Sequence, residues 1–96
     1  MIYGAYNVHW LKCWPSEFDA IDAGVKRHEI RRFDRPYAVG DHLLLMKWDP
    51  LEAKYLGPRV EVRVLHITRP GEWGLPDDLG VMSFEIIERL TFGPIA

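Results

Sequence analysis

The sequence predicts a mainly β domain of the α+β class, a small barrel of about five strands with one main helix packed at its side. Three observations carry this. Several segments alternate apolar and polar residues with the period of two that a half-buried strand requires, most cleanly Val60, Val62 and Val64 against Glu61 and Arg63. One stretch, following Pro15, spaces its apolar residues by three and four, as a helix does. Strands and helices do not alternate, which argues against the βαβ folds and for a sheet curled to protect its edges.

The elements follow in order. A first strand is expected over His9–Trp14, with Trp10, Lys12 and Trp14 on one face and His9, Leu11 and Cys13 on the other. Pro15 opens a helix, because proline suits a first turn. Ser16 and Asp19 resemble a capping box, and Phe18, Ile21 and Val25 form the helix's buried stripe. Gly24 ends it at a position that favours a left-handed residue.

From Arg27 to Phe33 the period returns to two. Arg27, Glu29, Arg31 and Phe33 share one face, and His28, Ile30 and Arg32 the other. Asp34-Arg35-Pro36 breaks this run, and Val39-Gly40-Asp41 turns into a strand over His42–Trp48 that is apolar on both faces. Asp49-Pro50 starts a hairpin loop expected to close near Gly57-Pro58, ahead of the valine-rich strand. Pro70 to Gly80, rich in glycine, proline and aspartate, reads as a long surface loop, and Val81 to Glu88 as the last strand.

Length and composition narrow the class further. Ninety-six residues without repeats, low-complexity tracts or a linker fit a single domain, residues 1–96. A chain of this size buries roughly 60–65% of its unfolded surface, enough for one core. With 48% hydrophobic and 27% charged residues the balance is that of an ordinary globular protein. No apolar run approaches the roughly 18 residues of a membrane span, so no membrane partner is expected. Met1 to Tyr6 has neither the basic region nor the apolar core of a secretory leader, and the lone Cys13 cannot form an internal disulfide. A cytoplasmic location is the expectation, as a monomer or a homodimer joined through exposed strand edges.

The net charge of −2 excludes a surface that attracts polyanions as a whole, so any such partner needs a local patch. Lys26, Arg27, Arg31, Arg32 and Arg35 supply one, five of the twelve basic residues within ten positions. At its centre Gly24-x-Lys26-x-x-Glu29-x-Arg31 places a lysine, a carboxylate and a guanidinium at a helix-to-strand junction. Two readings are open. One is an exposed strand edge whose ion pair is worth at most about 1 kcal/mol. The other is a binding site in which Arg31 offers a planar fork of donors, Lys26 a mobile charge, and Glu29 an acceptor or general base.

The other candidates carry paired readings too. His9 is either a structural histidine or a cleft residue that hydrogen-bonds a base or shuttles a proton. A His9–Cys13 nucleophilic pair fails, since four residues of extended strand span roughly 13 Å; Cys13 is expected in the core. His28, His42 and His66 lack metal-ligand spacing, so neither a metal nor another cofactor is expected. Trp10, Trp14 and Trp48 are expected to pack. Trp73, in the glycine-rich loop, either plugs a barrel end or acts as a lid stacking on a base. Arg35, with Arg27 and Arg32, either solubilises an edge or contacts phosphates.

These motifs together resemble the ASCH domain, a branch of the PUA-like superfamily of small β-barrels, and in particular its compact phage and bacterial members. The resemblance rests on His9-x-Leu11-Lys12, Pro15 with Phe18, Gly24-x-Lys26-x-x-Glu29-Ile30-Arg31, Asp34-Arg35, Val39-Gly40-Asp41, Trp48-Asp49-Pro50, Tyr55-x-Gly57, Gly74-Leu75 and Val81-Met82-Ser83, and covers about residues 9–84. It implies a PUA-like barrel with a cleft beside the helix and the following strand, holding RNA, a nucleotide or a modified nucleoside. His9, Lys12, Lys26, Glu29, Arg31, Arg35 and Trp73 are the ligand-binding residues it singles out. Some relatives are hydrolases, acting on acylated cytidine or proposed as ribonucleases, for which Lys26 and Glu29 would be the catalytic pair here. In the acyl-removing branch threonine stands three residues after the lysine. Glu29 occupies that place in this chain, and a carboxylate does not replace a hydroxyl nucleophile. A non-enzymatic phage or host protein-interaction module is the third expectation.

Overall fold

The computed structural model describes residues 5–91. Segments 1–4 and 92–96, including most of the start read against a secretory leader and the end of the tail, lie outside the described residues.

The chain forms β1 (Val8–Cys13), α1 (Pro15–Asp22), β2 (His28–Arg32), β3 (His42–Asp49), β4 (Lys54–Thr68), one turn of 3-10 helix (Glu72–Gly74) and β5 (Leu79–Thr91). The strands make one sheet in the order β1-β3-β4-β5-β2. β1 runs parallel to β3, and the other neighbours are antiparallel. The expected mainly β domain with one helix is therefore what forms, as a curled half-barrel. The curl follows from connectivity. β1 and β2 are the two edges of the sheet, yet fourteen residues, most of them in α1, link them. A helix rises only about 1.5 Å per residue, so the two edges must face each other across a narrow gap.

Alternation sets the core. His9, Leu11 and Cys13 of β1, Leu43 and Leu45 of β3, Val60, Val62 and Val64 of β4, and Met82 and Phe84 of β5 are buried on the concave side. Phe18 and Ile21 of α1 close it over β3, where Lys47 also pairs with Asp19 at 2.9 Å. Tyr37 is a core member that periodicity does not reveal, being only 3% exposed in the irregular stretch between β2 and β3. Its ring packs on His9 and Phe33, at centroid distances of 4.6 and 5.1 Å. Gly80 is buried because the Phe33 ring lies against it: a β-carbon there would stand 2.4 Å from Cε1 of Phe33.

Several local expectations need correction. The Ser16–Asp19 capping box does not form. Pro15 takes the first helical position, so Trp14 is the cap and Ser16 falls inside the first turn, with no side-chain cap bond. Val25 is 82% exposed rather than part of the helix stripe. The helix stops at Asp22, and Gly24, at φ 75°, closes a Schellman turn: Gly24 N–H donates to Ile21 O and Val25 N–H to Ala20 O. That turn points Val25 outward and sends the chain into β2.

The β3–β4 hairpin closes at Asp49 opposite Lys54, well before Gly57-Pro58. Asp49 Oδ1 accepts the Leu51 and Glu52 amides and makes the turn itself. Gly57, at φ 105°, and Pro58 instead belong to an irregular step in β4 opposite Met46–Trp48. Trp10 and Trp14 are about 60% exposed, against the expectation that they pack. Trp48 is partly covered, its ring edge-on to Tyr55 at 4.7 Å. The long loop ends at Leu79, where β5 begins, and Trp73 within it is 95% exposed, so it plugs no barrel end.

Candidate functional site at the gap between the edge strands

The site begins with the helix stop. Beyond Val25, the Lys26 amide also bonds Ala20 O at 3.0 Å, so the turn fixes the backbone of Lys26 before β2 starts. β2 then alternates as expected, but with its charged face turned inward. Glu29 stands opposite Met82 and is 4% exposed, while Ile30 points outward at 54%. A carboxylate at that depth requires a cation. Arg31, two residues along the same face, donates from Nε to Glu29 Oε2 at 2.7 Å.

The other arm of Arg31 crosses the gap. Its Nη2 donates to the backbone carbonyl of Lys12 on β1 at 2.6 Å. One guanidinium therefore neutralises the buried carboxylate and ties the two sheet edges together where no strand pairing does so. Its planar fork makes both bonds possible at once. Lys26 reaches the other way, pairing with Glu17 in the first turn of α1. Glu17 is held below the usual carboxylate range, first by the hydrogen bond from Lys26 and then by its charge.

These groups line one cavity of about 400 Å³ between β1, the start of α1 and β2, within the range of small-molecule sites. Lys26, Arg31 and Arg32 face Glu17 and Glu29 around it, Lys12 lines it with its backbone, and Trp14 and Ile30 add apolar wall. Three cationic side chains against two carboxylates leave the lining net positive in a chain whose net charge is −2, the excess being Arg32, which is also 3.5 Å from the exposed Asp78. Cys13 also lines it. Burial above all, and then the Glu29 charge, push its thiol up to about 12, so it is not a thiolate nucleophile at neutral pH.

The structure thus brings together Lys12, Lys26, Glu29 and Arg31 of the residues expected from sequence, with one difference of detail. The Lys12 ammonium lies 3.9 Å above the Trp48 ring, so the cavity receives its backbone carbonyl by way of Arg31. His9 lies elsewhere, buried on the concave side with Nε2 2.8 Å from Asp41 Oδ2. Arg35 pairs with Asp34 at 3.6 Å and approaches Tyr37, and Trp73 sits on the 3-10 turn; neither lines this cavity. Lys26 and Glu29 do not pair with one another, since each has its own partner. Trp14 is a lining residue that sequence reasoning assigned to packing. The signal was present: Trp14 shares its face of the strand with Lys12, opposite the buried Leu11 and Cys13.

A second cavity of about 600 Å³ opens on the far side of the Gly24–Arg27 turn, against β4 and β5, and Lys26 lines both. Among the described residues no three His, Cys, Asp or Glu side chains converge as a metal site requires. Nor is any helix among them long and apolar enough to cross a membrane.

Fold and site together define a curled β half-barrel with a net-positive polar cleft where its two edge strands meet. The chain belongs to the family described as Domain of unknown function (DUF3850), whose model matches residues 8–84, from the start of β1 into β5. It is also similar to the "Uncharacterized 12.9 kDa protein in GpA 3'region" of Escherichia phage P2, with 35% identity over 67 residues. That match covers 70% of this chain and 60% of the phage protein.

Proposed function

We propose that this protein is an ASCH-like, PUA-like module that binds single-stranded RNA or a nucleotide in the cleft between β1 and β2. One observation supports this above the others: Lys26, Glu29 and Arg31 line a single cavity with a net positive lining. Arg31 is held in place by two hydrogen bonds, and its remaining nitrogen, Nη1, has no partner among the described residues. A pre-organised guanidinium beside a lysine suits a phosphate. The carboxylate behind them accepts from an exocyclic amine, and the half-exposed Trp14 offers a ring on which a base stacks. Binding is favoured over hydrolysis because Lys26 and Glu29 are engaged by Glu17 and Arg31 rather than by each other.

Fluorescence anisotropy with a labelled single-stranded oligouridylate at two salt concentrations tests this reading. Affinity is expected to fall with salt, with a log–log slope of roughly 0.7 per neutralised phosphate. Lys26→Ala is expected to weaken binding roughly tenfold and to reduce that slope by about one phosphate's share. Absence of binding at low salt, or binding indifferent to Lys26→Ala, overturns it.

A further inference from the structure

The larger cavity has a structural cause that composition does not show. The β4–β5 ladder carries two irregularities, one between Val64 and His66 and one between Glu61 and Val62. The first leaves Leu65 as an extra residue on β4, and the second leaves an extra residue on β5 near Ile86. Bulges of this kind bend the ribbon, re-aim side chains and recur beside binding sites. Here they leave an opening walled by Leu65 and Ile86 on one side and by Lys26 and Arg27 on the other.

Charge within this opening also favours an anion. Its one carboxylate, Glu85, is already paired with Arg63 of β4, and Arg89 is pinned by two 2.9 Å bonds to Asp22. Arg27 is exposed, and its Nε makes one bond, to the backbone carbonyl of Gly24 at 3.2 Å. Lys26 stands between this cavity and the cleft and lines both, its backbone fixed by the helix stop and its ammonium paired with Glu17.

We infer that the two cavities are adjoining subsites of one bipartite site, so that the ligand is an oligonucleotide of at least two nucleotides rather than a mononucleotide. The second nucleotide places its base against Leu65 and Ile86. The phosphate that links it to the first crosses the turn between Lys26 and Arg27. This rests on the nucleotide-binding reading of the cleft and extends it to the class of ligand.

Calorimetric titration of 3′-UMP and of the dinucleotide UpU, in which the same 3′-phosphate carries a second uridine, at low salt separates the two claims. The wild-type protein is expected to bind UpU at least tenfold more tightly than UMP. Leu65→Asp, at a half-exposed position remote from the cleft, is expected to bring UpU down to the level of UMP and leave UMP unchanged. Leu65→Ser, a milder change at the same position, is expected to do the same in part and serves as the second variant should Leu65→Asp fail to fold. Equal wild-type affinity for UMP and UpU, or a loss in the Leu65 variants shared equally by both ligands, overturns the bipartite site while the cleft reading stands. Absence of binding by both ligands overturns both.

Discussion

Arg31→Ala is expected to lower the unfolding free energy by about 3 kcal/mol, the scale of breaking a buried ion pair by removing one partner. The deletion leaves the Glu29 carboxylate, 4% exposed, without its cation, and the Lys12 carbonyl without the donor that closes the β1–β2 gap. Arg31→Lys is expected to recover about half, because one ammonium cannot make both bonds of the fork. Glu29→Gln removes the charge but keeps an acceptor, and is expected to cost about 1 kcal/mol. Combining Glu29→Gln with Arg31→Ala is then expected to be milder than Arg31→Ala alone. Urea unfolding checks the series through the midpoint at constant m. A loss below about 0.5 kcal/mol for Arg31→Ala would identify the pair as a surface contact.

The second large effect belongs to Asp41. Its buried carboxylate accepts from His9 at 2.8 Å, from the Ala38 amide at 3.0 Å and from the Asn7 amide at 3.1 Å, fixing the start of β3 against β1. Asp41→Ala leaves the buried His9 ring without its partner, whereas Asn7 and Ala38 are both exposed residues whose amides recover bonds to water. A loss of about 3 kcal/mol is expected, and about half of that for Asp41→Asn, which keeps one acceptor. Burial pushes this carboxyl up, but the bonds from His9, Asn7 and Ala38 together outweigh it and hold the group below its ordinary value of 3.8. A depressed carboxyl contributes stability that is complete above that ordinary value and is lost as pH falls through the folded one. Wild-type stability should therefore decline below about pH 4 by a component that Asp41→Asn lacks. Equal acid sensitivity in wild type and variant would assign the decline to other carboxylates.

Much of the fold was legible because strand periodicity is a local property. Val60, Val62 and Val64, the concave residues of β1, and the glycine stop of α1 all lie where the pattern puts them. The direction of β2 was not legible. Both of its faces carry charge, and only the pairing of Glu29 opposite Met82, with Arg31 beside it, turns the charged face inward. His9 and Asp41 are 32 residues apart, so their pairing belongs to the tertiary structure alone. The same holds for the larger cavity, which depends on ladder register rather than on residue type. Clustering within ten residues grouped Lys26, Glu29 and Arg31, which line one cavity, but it could not separate Arg35, which the Asp34-Arg35-Pro36 break carries away from it.

Whether the gap between β1 and β2 holds a nucleotide is decided by mapping amide chemical-shift changes as UMP is added at low salt. Changes are expected to concentrate on residues 12–14, on Lys26 and on residues 29–31, and in Lys26→Ala to need roughly tenfold more UMP. Saturating UMP that leaves those amides unmoved, or that moves only the 71–75 loop around Trp73, would contradict a nucleotide site there.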